Sequence, residues 1–484
     1  MKRYDAYING AWVKPSSSRW FDTMSPYTGE VWAQVADCSA EEVNAAVNAA
    51  KRAFESEWSQ IKPAQRGRMM MKLADLVEQN AAHLAEMETR DNGMAYTDTQ
   101  MQLGAVAEYY RYYGGLADKI EGAVIPVNNG NMLTYTRYEP FGVVAIITPW
   151  NVPLALMSAK LAPALAAGNV AVIKPSSFTS VSTLEFMPLL EQAGFPAGVV
   201  NVVTGSGNDV GTPLVAHADV ARIAFTGSEM AGQKINEAAA KDFKSVTLEL
   251  GGKSPHIVFE DADLDAAAPN VVGGIFIGTG QICVAGSRLL LQRSIHDRFM
   301  ERVLEAARGF TVGDPMSPTT MIGPVATPDQ YKKIMDYIDI AKKEGATCIL
   351  GGGPYRGPGA CGQQMVEPTI FVNVKNSMRI AQEEVFGPVL SVIPFDTEEE
   401  AITIANDIRF GLAAGIWTRD LGRATRVCER LQAGTVWINT YMPFSNAVPN
   451  GGYKRSGVGR ENGVDAIKEY LQVKSVWIAT RSTP

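Results

Sequence analysis

The chain has 484 residues, 46% hydrophobic and 20% charged, with a net charge of −7 at pH 7. That length predicts two or three domains. The balance excludes a disordered, collagen-like or disulfide-dense chain. It also gives no electrostatic footprint for nucleic acid and no polybasic stretch for a membrane surface.

The N-terminal MKRYDAYINGAWV has no apolar h-region, so no signal peptide is expected. No apolar run nears the roughly 18 residues that span a bilayer. Residues 40–120 read as helices, opened by a capping box at Ser39-Ala40-Glu41-Glu42. Ala123–Val127 and Leu133–Tyr138 flank Asn128-Asn129-Gly130-Asn131, a hairpin signal. From 142 to 252 short Val/Ile-rich strands alternate with helices at 153–167, 178–193, 208–217 and 229–240. A second alternating region runs from 253 to 440. The pattern predicts an α/β protein with largely parallel, doubly wound sheets. The tail, 466–480, holds a short strand that should pair with the hairpin or with a partner subunit.

Chemistry is expected at strand-to-helix junctions. Thr148-Pro149-Trp150-Asn151 ends one strand, and its side-chain amide reads as a helix cap or as an oxyanion donor. Lys174, before Pro175, is a surface charge or a ligand for ribose or phosphate. The turns at Gly205–Gly207 and Gly227-Ser228 let backbone approach a phosphate, though each alone is a weak signal. Glu249 ends an apolar strand, where burial would raise its pKa towards that of a general base. Five cysteines, Cys38, Cys283, Cys348, Cys361 and Cys428, form no CxxC or zinc-type spacing. Four dispersed histidines complete a set with no expected metal site. Free thiols in a cytoplasmic protein are expected. Cys283 lies in a Gly-rich loop, Gly278-Thr279-Gly280-Gln281-Ile282-Cys283-Val284.

Order and spacing join these signals. Pro149-Trp150-Asn151, Lys174-Pro175-Ser176, Phe225-Thr226-Gly227-Ser228, Leu248–Lys253, Gly280–Cys283, Glu383–Pro388 and Gly451–Gly457 together resemble the aldehyde dehydrogenase superfamily over essentially the whole chain. The resemblance implies a Rossmann-like NAD(P)-binding domain (1–121 and 141–251), a catalytic domain (252–450) and an oligomerisation hairpin and tail (122–140 and 466–484). It implies a homodimer or homotetramer.

By the same resemblance Cys283 attacks the aldehyde, Asn151 and the Cys283 N–H hold the oxyanion, and Glu249 activates the hydrolytic water. Lys174, Ser176 and Ser177 border the adenosine ribose, and Gly207, Gly227, Ser228 and Gly232 the phosphates. Trp150, Leu250, Glu384 and Phe386 surround the nicotinamide end. Strict NAD users commonly carry Glu at the Ser177 position, so NADP is expected to be tolerated beside NAD, with a preference for it open. The Arg clamps of semialdehyde enzymes are replaced by Ala159 and Ile277. Val152, Leu156, Ala159, Ile282, Val284, Tyr441 and Phe444 are therefore expected to line a roomy pocket, with Asn450 near its mouth. A neutral, bulky aromatic or medium-chain aldehyde is the expected substrate. Semialdehydes and amino-aldehydes are the alternatives, with a non-catalytic relative or a cofactor-free cysteine hydrolase behind them. Some members pair a Lys with a Glu in a proton relay. Here the matching positions are Lys160 and Gln472, which leaves Glu249 to act alone.

Overall fold

The computed structural model describes residues 1–362 and 364–480. Residues 481–484 of the expected tail lie outside the described residues.

The first sheet has eight strands. Its parallel centre runs Ser245–Glu249, Val220–Thr226, Val143–Ile147, Val170–Lys174, Val200–Val202. These strands are short, apolar and largely buried on both faces, so they need no alternation. The chain enters at Val143–Ile147, builds outward to Val200–Val202, then crosses to Val220–Thr226 on the other side. That reversal opens a crevice at the carboxyl ends of the strands. Thr148–Asn151, Lys174, Gly227 and Glu249 all sit at those ends.

The helix over Pro153–Ala167 has the bounds the sequence predicts. Pro153 fits its first turn because the missing N–H needs no partner there. Thirteen of its fifteen residues are buried, as an all-round apolar helix requires. The capping box is present, with Ser39 N–H donating to Glu42 Oε2 at 2.7 Å.

The second sheet has seven strands, in the order Thr347–Leu350, Thr369–Val372, Val389–Phe395, Arg288–Gln292, Pro255–Val258, Ala413–Trp417, Thr435–Ile438. All but the first run parallel. The Cys283 loop leads into Arg288–Gln292, and Glu384–Phe386 precede Val389–Phe395. The amino ends of this sheet therefore face the carboxyl ends of the first. Apolar clusters of the described residues separate accordingly, one around the first sheet and two large ones and a small one around the second.

Three elements differ from expectation. The hairpin forms only in part. Met132–Pro140 is a strand, but Ala123–Val127 contributes a single bridge, Val124 to Tyr135. Pro126 lacks the N–H that a longer ladder would need. The main partner of Met132–Pro140 is instead the tail strand Leu471–Ala479, antiparallel over nine residue pairs. Asp465–Tyr470 ahead of that strand is a short helical turn buried in the first core through Ala466, Ile467 and Tyr470. The helix Leu264–Phe276 was not expected, because Pro269 and Gly273-Gly274 hide it within an apolar run.

The Gly451–Gly457 motif stitches the two sheets. Tyr453–Lys454 pairs with Phe410–Gly411, while Gly457 pairs with Glu249. Between them the buried Ser456 accepts the Leu250 N–H on its carbonyl and the Gly411 N–H on its Oγ, both at 2.9 Å. Ser456→Ala orphans a buried N–H and is expected to remove about 1–3 kcal/mol. Urea denaturation checks this, and an unchanged midpoint would contradict the stitch.

Candidate active site

Gly278, Thr279 and Gly280 take φ of 60°, 59° and 67° in succession. Three left-handed residues reverse the chain sharply and carry Cys283 forward to the crevice. Thr279 tolerates this because its Oγ1 donates to Gly323 O at 3.1 Å. Gln281 fastens the loop on the other side, its Oε1 accepting the Ala326 N–H at 3.0 Å.

Across the crevice the Asn151 Nδ2 donates to the Gln281 carbonyl at 2.7 Å. The amide therefore lies against the loop two residues before the thiol. Burial, and then the Glu249 and Glu384 charges, push the Cys283 thiol up to about 12. In the free chain the thiol is held protonated at neutral pH.

A cavity of about 140 Å³ collects Cys283, Trp150, Asn151, Leu156, Glu384 and Phe386. Gly227, Ser228 and Leu250 lie on its opposite wall. Trp150 and Phe386 stand edge to face, centroids 5.4 Å apart. Phe386 has φ of 61°, uncommon for a bulky residue. The Gln330 Nε2 holds it there, donating to the Val385 and Phe386 carbonyls at 2.8 and 2.9 Å. Glu384 accepts the Gly252 N–H at 2.9 Å. A Cβ at Gly251 would lie 2.3 Å from Glu384 Oε2, so only glycine admits the carboxylate. Gln330 and Lys333, from the helix Pro328–Lys343, line this cavity and escaped the sequence reading. The Thr327-Pro328 cap signals that helix, but nothing local says which face meets Phe386.

A second cavity, about 580 Å³, holds Lys174 and Gly207 with Phe225, Ile235 and Lys234. Its volume suits a nucleoside. Burial pulls Lys174 down to about 8, with its Nζ donating to Pro175 O at 3.0 Å. The two cavities sit at the ends of adjacent strands; between them the Gly227 N–H is spent on the Glu249 carbonyl at 3.1 Å, and Ser228 caps the helix Glu229–Ala240, whose N-terminus favours a phosphate. The residues present thus fit a dinucleotide.

Other expected residues fall elsewhere. Ser176 and Ser177 are half-buried in the turn after Lys174. The Gly232 N–H is spent on Ser228 O at 2.9 Å, and its Cα faces Leu250, which is close packing of helix on strand rather than phosphate contact. Val152 is half-buried at the start of the Pro153–Ala167 helix. Ala159 and Val284 are 3% and 1% exposed and serve packing. Tyr441 is also buried, and its OH donates to Val284 O at 2.8 Å, at the base of the Cys283 loop. Ile282 packs on this same cluster. Phe444 is exposed and stands edge-on to Trp437. Of the seven residues expected to form a substrate pocket, Leu156 is the one lining the cavity beside Cys283.

Glu249 is buried, and its Oε1 lies unpaired against Gly451 rather than at Cys283. Burial first, and then the nearby Glu461, push its pKa well above the usual carboxylate range, against the pull of Lys160 and Arg460. Here the relay expectation needs correction. Lys160 forms a buried ion pair with Glu461 at 2.7 Å and donates to Thr226 Oγ1 at 2.5 Å. Gln472 instead belongs to the ribbon, opposite Glu139. The Lys–Glu pair exists, with Glu461 as its acid. Counting from the tail strand chose the wrong residue, because only the fold brings the Gly451–Glu461 segment over Lys160.

Among the described residues no group of three or more His, Cys, Asp or Glu is placed to hold a metal ion. Likewise no helix is long and apolar enough to cross a membrane.

The aldehyde dehydrogenase family model matches residues 12–476. The (Z)-2-((N-methylformamido)methylene)-5-hydroxybutyrolactone dehydrogenase of Acinetobacter baylyi is 45% identical, over 100% of this chain and 98% of its own. The NAD+ complex of betaine aldehyde dehydrogenase from Staphylococcus aureus superposes with a TM-score of 0.97 at 39% identity, covering 99% of this chain and 95% of that one. The NAD+ complex of an aldehyde dehydrogenase from Bacillus cereus gives 0.96 at 42%, with 99% and 97% covered. With the cavity, the loop and these matches in agreement, the chain belongs to the aldehyde dehydrogenase family and is an oxidoreductase.

Proposed function

We propose that the chain oxidises a neutral aldehyde to its carboxylic acid through a thioester on Cys283. The observation that carries this is the single cavity holding Cys283, Asn151, Glu384 and Phe386, with the Asn151 amide bonded to the nucleophile loop.

The Cys283 Sγ gives its proton to solvent water in the crevice and forms a bond to the aldehyde carbon. The Asn151 amide and the Cys283 N–H hold the resulting oxyanion. Collapse of that oxyanion expels a hydride and leaves the thioester. A nicotinamide held beside Glu384 and Phe386 would supply the acceptor for that hydride. Glu249 then turns from Gly451 and takes a proton from water, which adds to the thioester carbon. The C–S bond breaks and the acid leaves. The raised pKa of Glu249 suits a base working near neutral pH. The Lys160–Glu461 pair behind it can relay the proton outward.

NAD is supported by the NAD+ complexes of the S. aureus and B. cereus relatives. Tolerance of NADP follows from Ser177, which sets no negative charge against a 2′-phosphate. Ala159 and Ile277, uncharged where semialdehyde enzymes carry Arg, favour a neutral substrate. One observation favours an amino-aldehyde instead. Asp98, whose carboxyl pKa is raised by burial, keeps a buried Oδ2 unpaired near Gly278 of the Cys283 loop. The ribbon of Met132–Pro140 and Leu471–Ala479 exposes Leu133, Val473, Trp477 and Ile478, which supports a homodimer or homotetramer built on that face.

An aldehyde panel read by reduced nicotinamide tests this reading. Neutral aromatic or medium-chain aldehydes are expected to give the highest kcat/KM, and a lead by amino-aldehydes would transfer the substrate to the Asp98 reading. Cys283→Ala should abolish oxidation while NAD binding by fluorescence persists; continued turnover would remove Cys283 from the chemistry. Ser177→Glu should lower kcat/KM with NADP by about tenfold or more and leave NAD nearly unchanged. Equal NADP kinetics would assign cofactor choice to another residue.

A further inference from the structure

We infer that Asn92 is a positioning residue that sets the orientation of Asn151; this rests on reading Asn151 as the oxyanion donor. Asn92 is the last residue of the helix Ala81–Asn92 and is 1% exposed. Its Nδ2 donates to the Asn151 carbonyl at 2.9 Å. Its Oδ1 accepts the Met94 N–H at 2.9 Å. Both ends of the amide are engaged, so a flipped amide would set oxygen against oxygen and N–H against N–H.

One turn earlier on the same helix face, Glu88 Oε2 accepts the Leu154 N–H at 3.1 Å. The helix thus grips the Asn151–Leu154 segment at two points. Pro149 and Pro153 fix their own φ, but the peptide plane after Asn151 stays free to rotate about its ψ. The Asn92 bond removes that freedom. A continuous chain then runs from the Asn92 amide to the Asn151 carbonyl, and from the Asn151 amide to the Gln281 carbonyl at 2.7 Å. It ends two residues before Cys283. Asn92 touches no substrate. It determines where the Asn151 N–H groups point, and a misplacement of about 1 Å costs on the order of a hundredfold in rate.

The test is a double-mutant cycle on the full chain with Asn92→Asp, Asn151→Ala and the pair. Asn92→Asp is isosteric and keeps the acceptor for Met94, but it turns the donor into an acceptor facing Asn151 O. The readouts are kcat and KM for whichever of propanal, hexanal and benzaldehyde turns over fastest, NAD affinity and the thermal midpoint. Asn151→Ala is expected to lower kcat by about 10²–10³-fold. Asn92→Asp should lower kcat by about tenfold or more with KM and NAD affinity nearly unchanged. The double variant should be no slower than Asn151→Ala alone, because both losses pass through one amide.

Wild-type kcat in Asn92→Asp beside a slow Asn151→Ala would overturn this inference and leave the Asn151 reading standing. Multiplying losses in the double variant would also overturn it, since a general structural defect adds. Wild-type kcat in Asn151→Ala would overturn the underlying reading and the inference with it. Should Asn92→Asp not fold, Asn92→Ser, which gives up the donor without adding charge, enters the same comparisons.

Discussion

The bond from Asn151 to the Gln281 carbonyl spans the crevice between two α/β units, and the site depends on it. Asn151 hangs from the carboxyl end of a strand in the first sheet. Gln281 belongs to a loop that enters a strand of the second. Neither side alone brings a thiol and an amide together. The left-handed turn at Gly278–Gly280 bends the loop towards this contact, and the Thr279 and Gln281 side chains hold it in place. The Gly451–Gly457 stitch keeps the sheets in register, and ion pairs from Arg409 and Arg455 to Glu229 add to the seam.

Electrostatics around the crevice follow from burial. Glu249, Glu384, Lys160, Lys174 and Glu461 all lie in low-dielectric surroundings. An unpaired buried charge is expensive, so each either finds a partner or moves towards its neutral form. Lys160 and Glu461 take the first course. Glu249 and Lys174 take the second, one raised and the other lowered towards neutral pH. The same burial, with the Glu249 and Glu384 charges, holds the Cys283 thiol protonated in the free chain. Reactivity then waits on the arrival of a positive charge in the cavity.

Much of this was legible in the sequence. Val/Ile runs bounded by glycine and proline marked the parallel strands, because strands buried on both faces show no alternation. Motif order marked Asn151, Glu249, Cys283 and Glu384, the first two at strand ends that the alternating pattern predicts. What stayed hidden depends on contacts distant along the chain. Glu461 meets Lys160 across 301 positions only after the Gly451–Gly457 stitch forms. Tyr441 and Val284 look like pocket residues by position, but one bond between them buries both under the loop. Gln330 and Lys333 sit on a helix whose facing no local signal decides.

The central claim is that Cys283 carries the acyl group and Glu249 removes it. Glu249→Gln, mixed with NAD and an aldehyde and quenched with acid during turnover, tests both parts at once. Peptide mass mapping is predicted to find the acyl adduct accumulating on Cys283. An adduct on another cysteine, or turnover at the wild-type rate with none, would contradict the account.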